Sequence, residues 1–199
     1  VGVSYGGTTS NNFNGAVNIG WSQKGGLDYG VNGGYTRIIE KPTVNKILEY
    51  NLKNAPSEPM QQKGGFDCLI CASTFIDQMA KGRSYDEIMA EFGSLYDSEK
   101  GTSTQAALEK IFGTVEGKPS FSPTRDGKFM ESGNPVLIAQ NSNHAIVPTK
   151  VEVFTKTYKH NLPKTLMKIH YMNPATGSFQ TTGMVKSYNY PTFLITIKR

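Results

Sequence analysis

The sequence predicts an α+β domain, and two observations carry that prediction. Apolar residues recur with a helical period of about 3.6 over roughly residues 68–113, then with a period of two from residue 136 onward. The two patterns also follow one another instead of alternating, which argues against a doubly wound parallel sheet. With 199 residues, 37% of them hydrophobic and 19% charged, the chain has material for one core of ordinary size.

Residues 1–36 stand apart as a Gly/Asn-rich lead whose only charges are Lys24 and Asp28. Val17, Ile19 and Trp21 alternate, then Leu27, Tyr29 and Val31, around the turn-forming run Ser22-Gln23-Lys24-Gly25-Gly26. This predicts a β-hairpin. Phe13, Trp21 and Tyr29 recur every eight residues, a hint of repeated short strands. The lead is expected either to rest on the main domain or to be the tail of a larger β structure.

Residues 37–199 are expected to form the main domain. Thr43 as a cap, Ile47 and Leu48 as an apolar stripe, and Asn54 and Pro56 as stops predict a helix over 43–53. A linker, Pro56-Ser57-Glu58-Pro59, leads to a turn at Gly64-Gly65. A helix over 68–81 sets Cys68, Cys71, Ala72, Phe75, Ile76 and Met79 on one face before Gly82 ends it. Ser84 and Glu87 form a capping box for a helix through about Tyr96, with Ile88, Met89, Phe92 and Leu95 inward. Thr102-x-x-Gln105 starts a shorter helix that stops at Gly113. Strands are expected over 136–140, 145–154, 166–172, 177–185 and 192–198.

Composition excludes several classes. No run approaches the length of a membrane-spanning helix. The chain begins at Val1 with no basic-then-apolar leader, which suggests a piece of something longer and no signal peptide within it. The net charge is +5, and residues 150–199 hold eight basic side chains against Glu152 alone. Solvated lysines on strand faces account for this better than an acidic partner. No basic-aromatic interleaving or zinc-finger spacing is visible, so no nucleic-acid partner is expected. Tyr190-Pro191-Thr192 after a Cys-x-x-Cys mimics a thioredoxin-like pair, but no βαβ context precedes Cys68. No cofactor and no metal are expected.

The chemistry concentrates at Gln62-Lys63-Gly64-Gly65-Phe66-Asp67-Cys68. A thiol in the first turn of a helix faces backbone N–H groups that stabilise its thiolate. A nearby Gln amide and the Cys68 N–H are donors for a developing oxyanion. A base is also needed, and His144, opening a strand after Asn141-Ser142-Asn143, is the candidate among His144, His160 and His170. If strands 144–154 and 166–172 pair antiparallel, Asn173 at the end of the second lies near His144 at the start of the first. Cys71, three residues beyond Cys68, reads as core. His160 in Lys159-His160-Asn161 reads as solvated, and His170 as exposed or a structural donor.

Taken in order, Gln-x5-Cys opening a helix, a later His at a strand start, and Asn-Pro-x-x-Gly after the next strand resemble the papain-like cysteine peptidases. The look is nearest to the bacterial double-glycine-leader (bacteriocin-processing) branch. Asp67 before the Cys, Gly-Thr-Ser at 101–103, and Gly133-Asn134-Pro135-Val136-Leu137-Ile138 ahead of His144 add to it. The likeness covers roughly residues 55–199. It implies a helical half carrying the nucleophile helix, followed by a twisted antiparallel sheet half. It also implies Cys68 as nucleophile, His144 as base, Asn173 as orienter and Gln62 as oxyanion-hole donor. Leu69 after the nucleophile, Asn173 in place of that branch's Asp, and the long connection from Phe154 to Leu166 depart from its pattern.

The resemblance implies cleavage of peptide (amide) bonds in a protein or peptide substrate. Glutamine deamidation or transglutamination by the same residues is the alternative. So is a catalytically inactive binding module, which would bury or block Cys68. A β-rich lead before such a domain also resembles papain-like polymorphic-toxin domains. That would imply a secreted or delivered effector with an immunity or inhibitor protein as partner. The other setting is a self-cleaving processing domain.

Overall fold

The computed structural model describes residues 2–8, 13–22, 26–35, 41–64, 67–96, 104–141, 144–158 and 161–197. Gly65, Phe66, Gly101–Ser103, Ser142, Asn143, Lys159, His160 and the centre of the 22–26 turn lie outside the described residues. The chain divides into two compact units, Val1–Pro42 and Thr43–Arg199.

The first unit is a three-stranded antiparallel sheet in the order β1 (Gly2–Thr8), β2 (Phe13–Ser22), β3 (Gly26–Tyr35). The alternating residues pair across β2 and β3, Val17 with Val31, Ile19 with Tyr29, and Trp21 with Leu27. The first strand carries no such alternation, because Gly2, Gly6 and Gly7 interrupt it.

Among its described residues, the second unit sets four helices against a seven-stranded antiparallel sheet. Its strands are β4 (Thr43–Asn51), β5 (Thr114–Lys118), β6 (Val136–Asn141), β7 (His144–Thr157), β8 (Lys164–Asn173), β9 (Ser178–Thr181) and β10 (Thr192–Thr196). The order is β5-β10-β6-β7-β8-β9, with β4 also paired to β7. Fourteen residues long, β7 gives its first residues to β6 and its second half to β4, while β8 follows it on the other side.

The helix expected over 68–81 ends at Asp77, the strand expected over 177–185 spans Ser178–Thr181, and a third expectation fails outright. Residues 43–53 do not form a helix, because Thr43–Asn51 is the strand β4. Its register shifts between Lys46 and Leu48, so an irregularity interrupts the period of two and leaves Ile47-Leu48 as adjacent apolar residues. That adjacency imitates a helical stripe. Eight hydrogen-bond-register partners on β7, from Thr43–Thr157 to Asn51–Lys150, fix the strand instead.

The helices are α1 (Cys68–Asp77), α2 (Tyr85–Phe92), α3 (Thr104–Phe112) and α4 (Pro123–Glu131). The α1 helix is the centre of the unit. It is apolar nearly all round and buried accordingly. Cys68, Ala72, Phe75 and Ile76 belong to the cluster formed with the sheet, whereas Ile70 and Cys71 belong to a second cluster with Tyr85, Ile88, Phe92 and Ile111. The Ser84–Glu87 capping box starts α2 as the sequence predicts. A 3-10 turn, Gly93–Tyr96, continues it. At the far end of α1, buried Asp77 takes the Arg83 guanidinium through both oxygens, at 3.2 and 2.8 Å. No helix among the described residues is long and apolar enough to cross a membrane.

Candidate active site

Four segments meet at one end of the second unit. The first is the start of α1. Asp67 is its N-cap residue but does not cap it through the side chain. Its carboxylate instead gathers the preceding loop. Oδ2 accepts the backbone N–H groups of Lys63 (3.0 Å) and Gly64 (2.9 Å) and the Tyr85 hydroxyl. Burial, then this contact with Asp67, pushes the Tyr85 phenol up, so it stays a donor. Lys63 and Gly64 are thus tied to the residue that precedes Cys68.

The second segment is the start of β7. The Ala145 backbone amide hydrogen-bonds the Cys68 sulfur, and the amides of Leu69 and of Cys68 itself also favour the thiolate. Ala145 follows His144 directly, so the thiol lies against the residue next to the candidate base. These amides act in the direction expected of a helix N-terminus, but they do not decide the outcome. Cys68 is 4% exposed, and burial pushes its thiol up from the ordinary value. The expectation of a depressed thiol is therefore corrected: loss of water outweighs the local amides. His144 is half-buried, and burial alone pulls its imidazole down. Thiol and imidazole are thus both biased toward their neutral forms.

The third segment is the turn after β8. Val147 pairs with Met172, so one further residue sets Ile146 opposite Asn173. His144 and Ile146 share a face, which puts His144 and Asn173 on the same side of the sheet at neighbouring positions. The Asn173 side chain, however, serves its own turn. Its Oδ1 accepts the Ala175 N–H at 3.0 Å, and its Nδ2 donates to Gln180 Oε1 at 2.9 Å. Among the described residues, the His144 ring has no hydrogen-bond partner. The expected Asn173–His144 bond is absent because the tight turn, closed by the Gly177 N–H on the Asn173 carbonyl at 3.0 Å, claims the amide first.

The fourth segment carries Gln62. Its backbone N–H donates to the Pro174 carbonyl at 2.9 Å, which ties it to the residue after Asn173. Its side-chain Oε1 is buried without a hydrogen-bond partner among the described residues. Gly177 has φ +59, and a Cβ there would lie 2.6 Å from Gln61 Cβ, so the Gln61-Gln62 segment rests directly on the turn. The sequence reading did not use Gly177 for this. Its place four residues after Asn173 in Asn-Pro-x-x-Gly was the available signal.

The chain matches no family model, no curated protein and no solved structure.

The other notable residues lie elsewhere. Cys71 is fully buried, no disulfide joins it to Cys68, and burial pushes its thiol up to about 12. His170 bonds Glu152 through Nε2 at 2.9 Å and Thr181 through Nδ1 at 3.1 Å. It is a structural partner in the sheet. Tyr188 stacks edge-on with Tyr190 at 4.8 Å and takes a hydrogen bond from Gln140, on the strand that leads toward His144.

Proposed function

We propose that this chain is a papain-like cysteine peptidase that uses Cys68 as nucleophile and His144 as general base. One observation carries the reading. Cys68 opens a buried helix with its sulfur on the Ala145 amide beside His144, while Gln62 is tied to Pro174 beside Asn173. The residue types that amide hydrolysis through a thioester needs, a thiol, an imidazole and amide donors, come from distant segments to this end of the unit, which supports the reading.

The neutral pair sets the mechanism. As the sulfur attacks the scissile carbonyl carbon, His144 takes the Cys68 proton. The carbonyl oxygen becomes an oxyanion facing the Cys68 N–H and the Gln62 amide. His144 then gives its proton to the leaving nitrogen, the C–N bond breaks, and a thioester remains. Water attacks that thioester as His144 removes its proton. The carboxylic acid product leaves, and the proton returns to the sulfur. To orient His144, the Asn173 Oδ1 that accepts the Ala175 N–H would have to take the imidazole N–H as well.

The low exposure of Cys68 favours a second reading, a module that keeps this arrangement without turnover. Iodoacetamide at pH 7.5, read by mass spectrometry, separates the two. A peptidase labels faster at Cys68 than at Cys71, loses that advantage in His144→Ala, and loses peptide hydrolysis in Cys68→Ala. Slow labelling at both thiols, unchanged by His144→Ala, supports the inactive module.

A further inference from the structure

A cavity of about 460 Å³ opens on the α2 side of the nucleophile loop. Its walls include Ile70, Tyr85 and Met89 from the helices, and Lys63, Gly64 and Asp67 from the loop. This volume suits a small ligand or one long side chain.

The polar groups on the wall are unevenly satisfied. Asp67 is 8% exposed, and its three donors all converge on Oδ2. Its Oδ1 is buried with no hydrogen-bond partner among the described residues. A carboxylate withdrawn from water with one oxygen unmatched calls for a donor, best of all a charged one. The cation on the wall does not supply it. The Lys63 ammonium is committed elsewhere, 2.7 Å from Asp86 Oδ1 and 4.7 Å from the centre of the Tyr85 ring. Ile70, Met89 and the Tyr85 ring make the rest of the named wall apolar.

We propose that this cavity binds a primary ammonium group carried on a short aliphatic stem, with the ammonium on the Asp67 carboxylate and the stem along Ile70 and Met89. A lysine side chain of a polypeptide substrate and a free alkylamine both present this chemistry. The first source rests on the cysteine-peptidase reading, whereas the binding itself does not. Asp67 directly precedes Cys68 and Ile70 follows it by two residues, so an occupant of the cavity lies close to the nucleophile loop.

The test uses the whole 199-residue chain as Cys68→Ala with labelled methionine methyl groups, titrated with n-pentylammonium chloride. The Met89 methyl resonance is expected to shift saturably. The isosteric neutral n-pentanol should bind at least about tenfold more weakly. Asp67→Asn should weaken the ammonium by about tenfold or more. Tyr85→Phe removes a competing donor yet keeps the aromatic wall, and it should retain the ammonium affinity. It keeps the test valid if Asp67→Asn does not fold. An unmoved Met89 resonance, or equal affinity for alcohol and ammonium, overturns the proposal. A second arm digests a mixed peptide library with the unmodified protein. Lysine enriched at a fixed distance from the cut assigns the ammonium to the substrate. Cutting without lysine bias, with Met89 still responding, assigns it to a free amine. No cutting, with Met89 responding, removes the peptidase reading and leaves the ammonium site standing.

Discussion

Cys68 and Cys71 occupy neighbouring positions on one helix and meet opposite surroundings. Cys68 faces the sheet and the Ala145 amide, whereas Cys71 sits among Ile70, Tyr85, Ile88, Phe92 and Ile111. Cys71→Ser would place a hydroxyl in that apolar cluster. It should cost about 1–3 kcal/mol in urea unfolding and leave catalysis intact below the transition. The pH dependence of Cys68 is argued from the same contrast. Its thiol is raised and the His144 imidazole is lowered, both chiefly by burial. Alkylation of Cys68 should therefore keep rising with pH through the ordinary thiol range, without a plateau below neutrality. Peptide hydrolysis needs neutral His144, so its acid limb should lie below the ordinary imidazole value of about 6.5. An alkylation plateau below pH 7 would show a thiolate–imidazolium pair and overturn the neutral-pair mechanism.

The turn between β8 and β9 shows how an element positions a side chain it does not contain. Gly177 adopts φ +59 with Gln61 packed where a Cβ would stand. Gly177→Ala should cost about 1–2 kcal/mol through the left-handed backbone. It should also displace Gln61, and with it Gln62, so activity should fall further than stability alone explains. Ser84→Ala is the control. It removes the α2 capping box for about 1 kcal/mol, far in sequence from the turn, and should leave turnover unchanged. Equal activity in the two variants, each assayed well below its unfolding transition, would detach Gln62 from catalysis. Elements differ in how plainly the sequence shows them, and the reasons are physical. Ser84 and Glu87 announce α2 because a capping box is a local device. The α4 helix is hidden because Gly127 interrupts it. That glycine is required by the Tyr50 ring, whose Cδ2 would lie 2.3 Å from a Cβ. Tyr50 lies on β4, which itself imitates a helix, so two misleading segments explain each other only in three dimensions. The candidate site shows the same limit. Gln62, Cys68, His144 and Asn173 are legible from order and spacing. Which partner the Asn173 amide takes is decided by a competition inside its turn that spacing does not encode.

At the scale of the molecule, the uneven charge in the sequence resolves into networks set by strand register. Lys46 and Glu49 on β4 meet Lys150 and Glu152 on β7, and Glu152 meets His170 on β8. Lys150 is thus a partner in a network and more than a solvated strand-face lysine, a pairing across about 100 residues of chain that composition alone does not reveal. Lys46 first, then Asn51 and Lys150, hold the Glu49 carboxyl down at about 2. His170 first holds Glu152 down as well, and the Ser84 backbone does the same for Glu87. Each carboxyl has a lower value in the folded state than its ordinary value of about 4.5. The folded state therefore gains from their ionisation above that value, and the gain is lost as pH falls toward 2. The groups lie at or near the surface, so water and salt moderate the effect. The melting temperature should drop as pH falls from about 4.5 to about 2, and Glu49→Gln should flatten that drop. At 1 M NaCl, where the screening length is about 3 Å, the drop should shrink in the parent protein more than in Glu49→Gln. Identical acid profiles for parent and variant would show that ionised Glu49 in the β4–β7 network contributes nothing to stability in this window. Protonation of His144 favours the unfolded chain as pH falls below about 6.5, a separate and higher window.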